Sequence, residues 1–148
     1  MYFSESEYKQ LQLHKNDLVF SEGGEVGKTA IWNDEVKDCC IQNSVQKLTV
    51  NDKCDARYYL YLSYMLGKMG YYKSIVNLVS IMHLTYEKLR RVQVLVPPKE
   101  EQIAIADYLD THCSRIDHAI SIVDKQIDAY TRLKKSLINE VVTGKRKV

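Results

Sequence analysis

The chain has few of the residues that mark a membrane span, a metal site or a disulfide framework. Its longest apolar stretch, Tyr58 to Leu66, contains Ser63 and is too short to cross a bilayer. Its four cysteines form no C-x-x-C pair, and its four histidines show no ligand spacing with them. We therefore expect no metal, no cofactor, and free thiols in a reducing compartment.

The N-terminus shows no targeting pattern, and the net charge is small. The opening M-Y-F-S-E-S-E-Y-K has no basic stretch leading into an apolar run, which predicts a cytoplasmic protein with no membrane partner. The net charge is +2 from 21 basic and 19 acidic residues, and residues 1–98 and 99–148 contribute +1 each (12 − 11 and 9 − 8). A nucleic-acid interface would therefore have to be a local patch.

Motifs of catalysis are missing as well. There is no G-x-S-x-G, no H-E-x-x-H and no nucleophile beside a base. The segment from Gly23 to Thr29, G-G-E-V-G-K-T, resembles a phosphate-binding loop. However, Glu22 stands where that motif needs glycine, and Ala30-Ile31-Trp32 continues as a strand instead of a helix. We expect a protein that is not an enzyme.

What the chain does have is one long helical segment. Residues 99–143 contain neither proline nor glycine, so nothing in them breaks a helix of roughly 65 Å. Pro97-Pro98 marks its start, Glu100 and Glu101 place negative charge in its first turn, and Gly144 marks its end.

Apolar residues recur along this helix by steps of three and four, which is the 3.5-residue period of a coiled coil. A helix of this length has more apolar surface than residues 1–98 can cover, so we expect it to pair with a helix of a second copy or another subunit. Packing on the chain's own globular part is the alternative. The seam consists of Leu109, Cys113, Ile116, Ile120, Val123, Ile127, Tyr130, Leu137 and Val141.

Before the prolines, strand patterns outnumber helical ones, and we expect the polar residues 1–12 to be poorly ordered or peripheral. The fold class is therefore α+β: a small mixed domain, residues 1–98, followed by a long C-terminal coiled-coil helix and basic tail, residues 99–148. The expected elements are strands at 17–20, 29–32, 40–50 and 92–96, a helix at 55–69 capped by Asp55, and a helical turn at 85–89.

Three short segments have side chains suited to a nucleic acid. The glycine loop lets backbone approach a ligand, and its Lys28 can meet a phosphate, although a plain hairpin turn is the alternative. Tyr71 and Tyr72, followed by Lys73 and Ser74, combine apolar planes, a cation and a hydroxyl, with ordinary loop packing as the alternative. We expect Tyr58, Tyr59 and Tyr64 in or beside the core.

Two motifs at opposite ends of the long helix carry a family resemblance. Pro97-Pro98-x-x-Glu101-Gln102-x-x-Ile105-Ala106-x-x-Leu109 matches P-P-x-x-E-Q-x-x-I-A-x-x-L, and Val142-Thr143-Gly144-Lys145 matches V-T-G-K. Asn16-Asp17-Leu18-Val19 is similar to a G-D-L-L strand, with asparagine in place of glycine. In these features the chain resembles the specificity subunit of a type I restriction–modification system.

The resemblance implies a non-catalytic DNA-recognition subunit that reads half of a bipartite site on double-stranded DNA. It also implies partners: adenine methyltransferase subunits, a restriction subunit, and a second recognition half paired through antiparallel helices. We expect a half-length or truncated form, with part of one target-recognition domain and one helix. Its expected DNA-binding residues are Gly23, Gly24, Lys28, Gln42, Asn43, Tyr71, Lys73, Ser74 and Asn77.

Among these, Gln42 and Asn43 have the amide side chains best suited to bidentate contact with adenine, although ordinary strand polarity also explains them. Two alternatives to the whole interpretation stay open. One is a coiled-coil adaptor whose globular part binds protein. The other is an inactive recombination cassette with no DNA binding of its own.

Overall fold

The computed structural model describes residues 4–42, 44–76 and 83–148. They form two compact units, which meet in sequence between Ala106 and Asp107. A three-stranded sheet with helices is followed by one long helix, so the predicted α+β fold class is confirmed. No helix in the described part of the chain is long and apolar enough to cross a membrane. The elements are α1 (Glu5–Leu11), β1 (Leu18–Ser21), β2 (Thr29–Ile31), β3 (Val45–Leu48), α2 (Ala56–Lys68), α3 (Tyr71–Ile75), α4 (Tyr86–Leu89) and α5 (Lys99–Val142).

The sheet is antiparallel, with β1 between β2 and β3. Leu18 lies opposite Ile31 on one side and Leu48 on the other, which sets the register of both ladders. The strands predicted at 17–20 and 29–32 are present. Among the described residues between 40 and 50, Val45–Leu48 alone joins the sheet, and Cys40 makes an isolated bridge to Gln12.

The core lies on one face of this sheet. Leu18 and Phe20 alternate with partly exposed neighbours along β1, so both point to the same side and both are buried. Helices and loops cover that side and add Val26, Tyr72, Val76, Leu84 and Leu89 to the buried cluster.

Helix α2 begins at its predicted cap. One carboxylate oxygen of Asp55 accepts hydrogen bonds from the backbone N–H groups of Arg57 and Tyr58, which satisfies two of the unpaired donors at the helix start. The prediction that Tyr64 belongs to the core is wrong, because this side chain is 63% exposed. Helix α2 buries only the side that faces the sheet and α3, and Tyr64 lies on the other side.

Two other segments differ from the prediction. Residues 5–11 form a helix, α1, because Ser4 and Glu7 make a reciprocal capping box; none of its residues is buried. Residues 92–96, predicted as a last strand, have no ladder partner in the described chain, and the side chains of Val94, Leu95 and Val96 are exposed. Within the described residues, helices therefore outnumber strands before Pro98.

Helix α5 has the predicted bounds to within one residue and 44 residues in all. Its first turns bury Gln102 and Ala106 completely. At the other end, Gly144 takes a left-handed conformation with φ of 72°. Its N–H donates to the carbonyl of Val141, and the N–H of Arg146 donates to Glu140. These bonds satisfy the last carbonyl groups of the helix.

Candidate nucleic-acid interface

The glycine loop is the turn of a β-hairpin. It leaves β1 at Ser21 and enters β2 at Thr29, and the N–H of Ser21 donates to the carbonyl of Lys28 across its base at 2.8 Å. The Ser21 hydroxyl donates to the carbonyl of Gly23 inside the loop at 2.7 Å. Because a strand follows directly, the loop does not present the amides of a helix start to a phosphate.

Gly27 brings this loop against the ring of Tyr72. A Cβ atom at Gly27 would lie 2.2 Å from Cδ2 of Tyr72, and the φ of Gly27 is +79°. Because Gly27 has no side chain, the loop backbone packs closely against the ring of this core tyrosine. Tyr72 is only 2% exposed, so its predicted place on a DNA-facing surface is wrong.

A chain of hydroxyl groups fixes Tyr72 in place. Its phenol oxygen lies 2.8 Å from Oγ of Ser63, which lies 2.6 Å from Oγ1 of Thr29 at the start of β2. Burial raises the pKa of the Tyr72 phenol, and the hydrogen bond with Ser63 partly opposes that rise. The glycine loop, α2 and α3 are therefore held together at one end of the sheet.

Lys28 lies on the exposed side of the loop and pairs with Glu25, Nζ to Oε2 at 2.5 Å. Both side chains are more than 70% exposed. The hydrogen bond and charge of Lys28 lower the pKa of Glu25, and the same contact raises the pKa of Lys28. Lys28 is therefore a charged cation that already forms an ion pair with a carboxylate.

Helix α3 carries the other predicted cation. Lys73 and Ser74 are exposed, and the Ser74 hydroxyl donates to the carbonyl of Tyr71 at 2.7 Å. Tyr71 is half-buried, with its ring edge-on to that of Tyr72. Asn77 lies outside the described residues.

Ser44 approaches the same end of the sheet from the other side. The N–H of Glu22 donates to the carbonyl of Ser44 at 2.8 Å, which places Ser44 beside the glycine loop. Gln42 is exposed and borders an open, mostly apolar groove of about 610 Å³, whose lining includes Val19 and Trp32. Asn43 lies outside the described residues.

The structure thus gathers most of the predicted DNA-binding residues at one end of the sheet. Gly23, Gly24 and Lys28 lie on the hairpin loop, α3 contacts the loop through Tyr72, and Ser44 contacts it through Glu22. Within the described residues, no group of three or more His, Cys, Asp or Glu side chains could hold a metal ion. The four cysteines are free and half-buried.

Three further residues on this surface were not predicted: Glu25, Tyr64 and Lys68. The Nζ of Lys68 lies 5.3 Å from the centre of the Tyr64 ring on the outward side of α2. A signal for this surface was available in the sequence, since residues 56–75 contain Arg57, Lys68 and Lys73 but no aspartate or glutamate.

In the second unit, most of the predicted seam of α5 is exposed. Leu109, Cys113 and Val141 are half-buried, and the other six seam residues are exposed, among them Ile120 at 53% and Ile127 at 56%. Charge divides along the same unit: residues 107–128 have a net charge of −3 (2 − 5), and residues 129–148 of +5 (6 − 1).

Comparison with known proteins places these features in a family. The chain is similar to the type I restriction enzyme MjaVIII specificity subunit of Methanocaldococcus jannaschii, with 26% identity over 136 residues, covering 91% of this chain and 30% of the relative. A Haemophilus influenzae protein, provisionally named type I restriction enzyme specificity subunit S.HindORF215P, is 27% identical over 140 residues, covering 90% and 35%. The chain therefore spans about a third of the length of these curated relatives.

The fold agrees with this similarity. A chain from a solved structure, described for the complex assembly and conformational transition of the type I R-M system, superposes with a TM-score of 0.75. The two are 22% identical, and the match covers 88% of this chain and 31% of the other. The family model described as the type I restriction modification DNA specificity domain matches residues 2–126. With most of its length matched, the chain belongs to the family of type I restriction–modification DNA specificity domains.

Proposed function

We propose that this chain is a DNA sequence-recognition module of a type I restriction–modification system and that it reads half of a bipartite site on double-stranded DNA. The observation that carries the proposal is the family match over residues 2–126, which includes both the small domain and most of α5. On this proposal the chain is not an enzyme. It selects the sequence on which partner subunits act.

The end of the sheet with the glycine loop is the proposed DNA-facing surface. Exposed Lys28 and Lys73 supply cations for phosphate contact, and exposed Gln42 supplies an amide for a base edge. Gly23, Gly24, Tyr71 and Ser74 complete this surface, with Asn43 and Asn77 as proposed contributors. Such a division fits DNA recognition, in which phosphate contacts fix the position of the protein and base-edge contacts select the sequence.

Helix α5 is the proposed pairing element. Its seam exposes isoleucine, valine and tyrosine side chains along its length, which favours a second helix as the partner. The acidic first part and basic last part of residues 107–148 favour an antiparallel partner of the same kind, because each half then faces opposite charge. The proposed partner is a second recognition half.

The methyltransferase subunits are the proposed second set of partners of α5. Beside the seam, Tyr108, Ile122 and Leu133 are also exposed and widen the apolar stripe on one side. A stripe wider than a two-helix seam is typical of a helix with more than one neighbour. We place adenine methyltransferase subunits there and the restriction subunit in the larger assembly.

Binding of the purified full chain to double-stranded DNA, measured across a salt series, tests this proposal. The two phosphate contacts of Lys28 and Lys73 predict an affinity loss of about 12-fold between about 50 mM and about 200 mM salt, because each contact releases a counterion. A chain that binds no DNA at the lowest salt would contradict the proposal and favour a coiled-coil adaptor whose small domain binds protein.

A further inference from the structure

Helices α2 and α3 carry positive charge without any carboxylate. Residues 56–75 contain Arg57, Lys68 and Lys73 and neither aspartate nor glutamate. Bulk charge does not reveal this, because residues 1–98 as a whole have a net charge of only +1 (12 − 11). Arg57 forms an ion pair with Asp55 at the start of α2, so the cations at the end of α2 and on α3 that lie toward the glycine loop are Lys68 and Lys73.

The outward side of α2 holds one of these cations over an aromatic ring. Lys68 follows Tyr64 by one helical turn, and its Nζ lies 5.3 Å from the ring centre. Tyr64 is 63% exposed, so the contact is made on the protein surface and not in the core. A cation–π contact of this kind limits where the ammonium group points.

The same cation lies near the glycine loop. Gly27 in the loop and Gly67, the neighbour of Lys68, both face the same ring atom, Cδ2 of Tyr72, so the end of α2 lies against the loop. The carboxylate of Glu25 accepts a hydrogen bond from Lys28, and its pKa is lowered first by Lys28 and also by the charge of Lys68. Lys28, Glu25, Tyr64 and Lys68 therefore share one exposed surface, which we name the Lys28–Lys68 patch. It contains two cations and one anion.

We propose that the Lys28–Lys68 patch contacts the phosphodiester backbone of double-stranded DNA, so that α2 adds a phosphate-binding face to the glycine-loop surface. This inference rests on the proposed DNA-binding function and deepens it. The occupant follows from charge: two ammonium groups with one carboxylate between them favour an anion, and a tyrosine ring beside them can pack on a sugar.

Glu25 has a distinct part in this arrangement. Its carboxylate already accepts the hydrogen bond that a phosphate would need from Lys28, so the phosphate has to compete for that lysine. Glu25 therefore weakens backbone contact at this patch. Removing its charge should strengthen DNA binding. Loss of a merely structural contact would not increase the affinity.

The test measures binding of labelled double-stranded DNA to the full chain and to single variants across a salt series. Lys68→Gln should weaken binding about fivefold at low salt and reduce the salt slope by about one, because one phosphate contact is lost. Glu25→Gln should tighten binding about two- to fivefold, with unchanged thermal stability.

Helix α1 supplies the matched controls. Lys9 and Glu5 form an exposed ion pair one helical turn apart, much as Lys28 and Glu25 do on the loop. Lys9→Gln and Glu5→Gln make the same changes of charge away from the patch. Both should leave the affinity and the salt slope within about twofold of the parent chain.

The outcomes separate the two proposals. If the parent chain binds DNA but the patch variants behave like the α1 controls, the patch assignment is wrong and the DNA-binding function stands. The same holds if Glu25→Gln weakens binding in a folded protein, or if Lys9→Gln loses as much affinity as Lys68→Gln. If the parent chain binds no DNA, both proposals are wrong.

Discussion

Gln102 and Asp55, 47 residues apart in the chain, are joined by a hydrogen bond. The Oε1 atom of Gln102 accepts from the backbone N–H of Asp55 at 2.9 Å, while its Nε2 donates to the carbonyl of Pro97 at 2.8 Å. Gln102 is completely buried, and Asp55 is the N-cap of α2. One amide side chain thus ties the start of α2 to the start of α5, which gives the glutamine of the P-P-x-x-E-Q motif a structural role.

Replacing this glutamine with leucine tests that role. Gln102→Leu keeps a similar volume but leaves the Asp55 N–H and the Pro97 carbonyl without their partner. We expect a loss of about 2–4 kcal/mol in the free energy of unfolding, since each unpaired buried polar group costs about 1–3 kcal/mol. Urea denaturation measures it. The control, Gln126→Leu on the exposed part of α5, should change stability by less than about 0.5 kcal/mol. Equal effects of the two variants would refute the role.

The glycine loop offers a second comparison. Gly27→Ala has to place a methyl group where the Tyr72 ring lies and also adopt a left-handed backbone, so we expect a loss of about 3 kcal/mol. Gly24 has a φ of +66° but no atom within 4 Å of an added Cβ, so Gly24→Ala should cost only about 1 kcal/mol. Thermal unfolding of both variants measures the two losses of stability. A ranking with Gly24→Ala as the more harmful change would contradict the contact with Tyr72.

Tyr59 predicts how stability depends on alkaline pH. Burial, followed by its contact with Cys54, raises the pKa of the Tyr59 phenol to about 12. Because the folded state holds this proton more tightly than the unfolded state, its contribution is complete below about pH 10 and is lost as pH rises from 10 towards 12. Absorbance titration of phenolate should show Tyr59 ionising late, and Tyr59→Phe should reduce the late component by one phenol, because buried Tyr72 also has a raised pKa. A late component of unchanged amplitude in Tyr59→Phe would contradict this assignment.

The seam of α5 predicts self-association. Ile120→Asp combined with Ile127→Asp places two charges on the exposed apolar stripe, and we expect it to abolish pairing as measured by light scattering. Ser114→Asp with Ser121→Asp is the matched control, because these exposed residues have the same seven-residue spacing on another side of the helix. An oligomer that survives the isoleucine changes, or one that the serine changes also break, would show that the seam is wrongly assigned.

Local sequence patterns were enough to predict several elements. Helix α5 follows from a stretch without proline or glycine between Pro98 and Gly144 and from a 3.5-residue apolar period over Leu109 to Tyr130, and α2 follows from its Asp55 cap. Both depend on residues close together in sequence. Residues 92–96 have an equally strong strand pattern but form no ladder with any described residue, because a strand also needs a neighbour with free backbone groups, which local sequence does not specify.

The surface around the glycine loop was harder to predict for the same reason. Whether Tyr72 or Tyr64 is buried depends on which side of α2 and α3 faces the loop, and both residues have the same intrinsic preference. The loop and the end of α2 come together only through Tyr72, whose ring faces both Gly27 and Gly67. The charge pattern of residues 56–75 was visible in the sequence, but its position beside Lys28 was not.

The central claim is that this chain sets DNA sequence specificity, and a methylation map of the host genome with and without the gene tests it most directly. The account predicts that deletion removes adenine methylation at a bipartite motif, and that re-expression of the parent chain restores it. A palindromic motif would match pairing of two identical recognition halves. An unchanged map after deletion would contradict the claim.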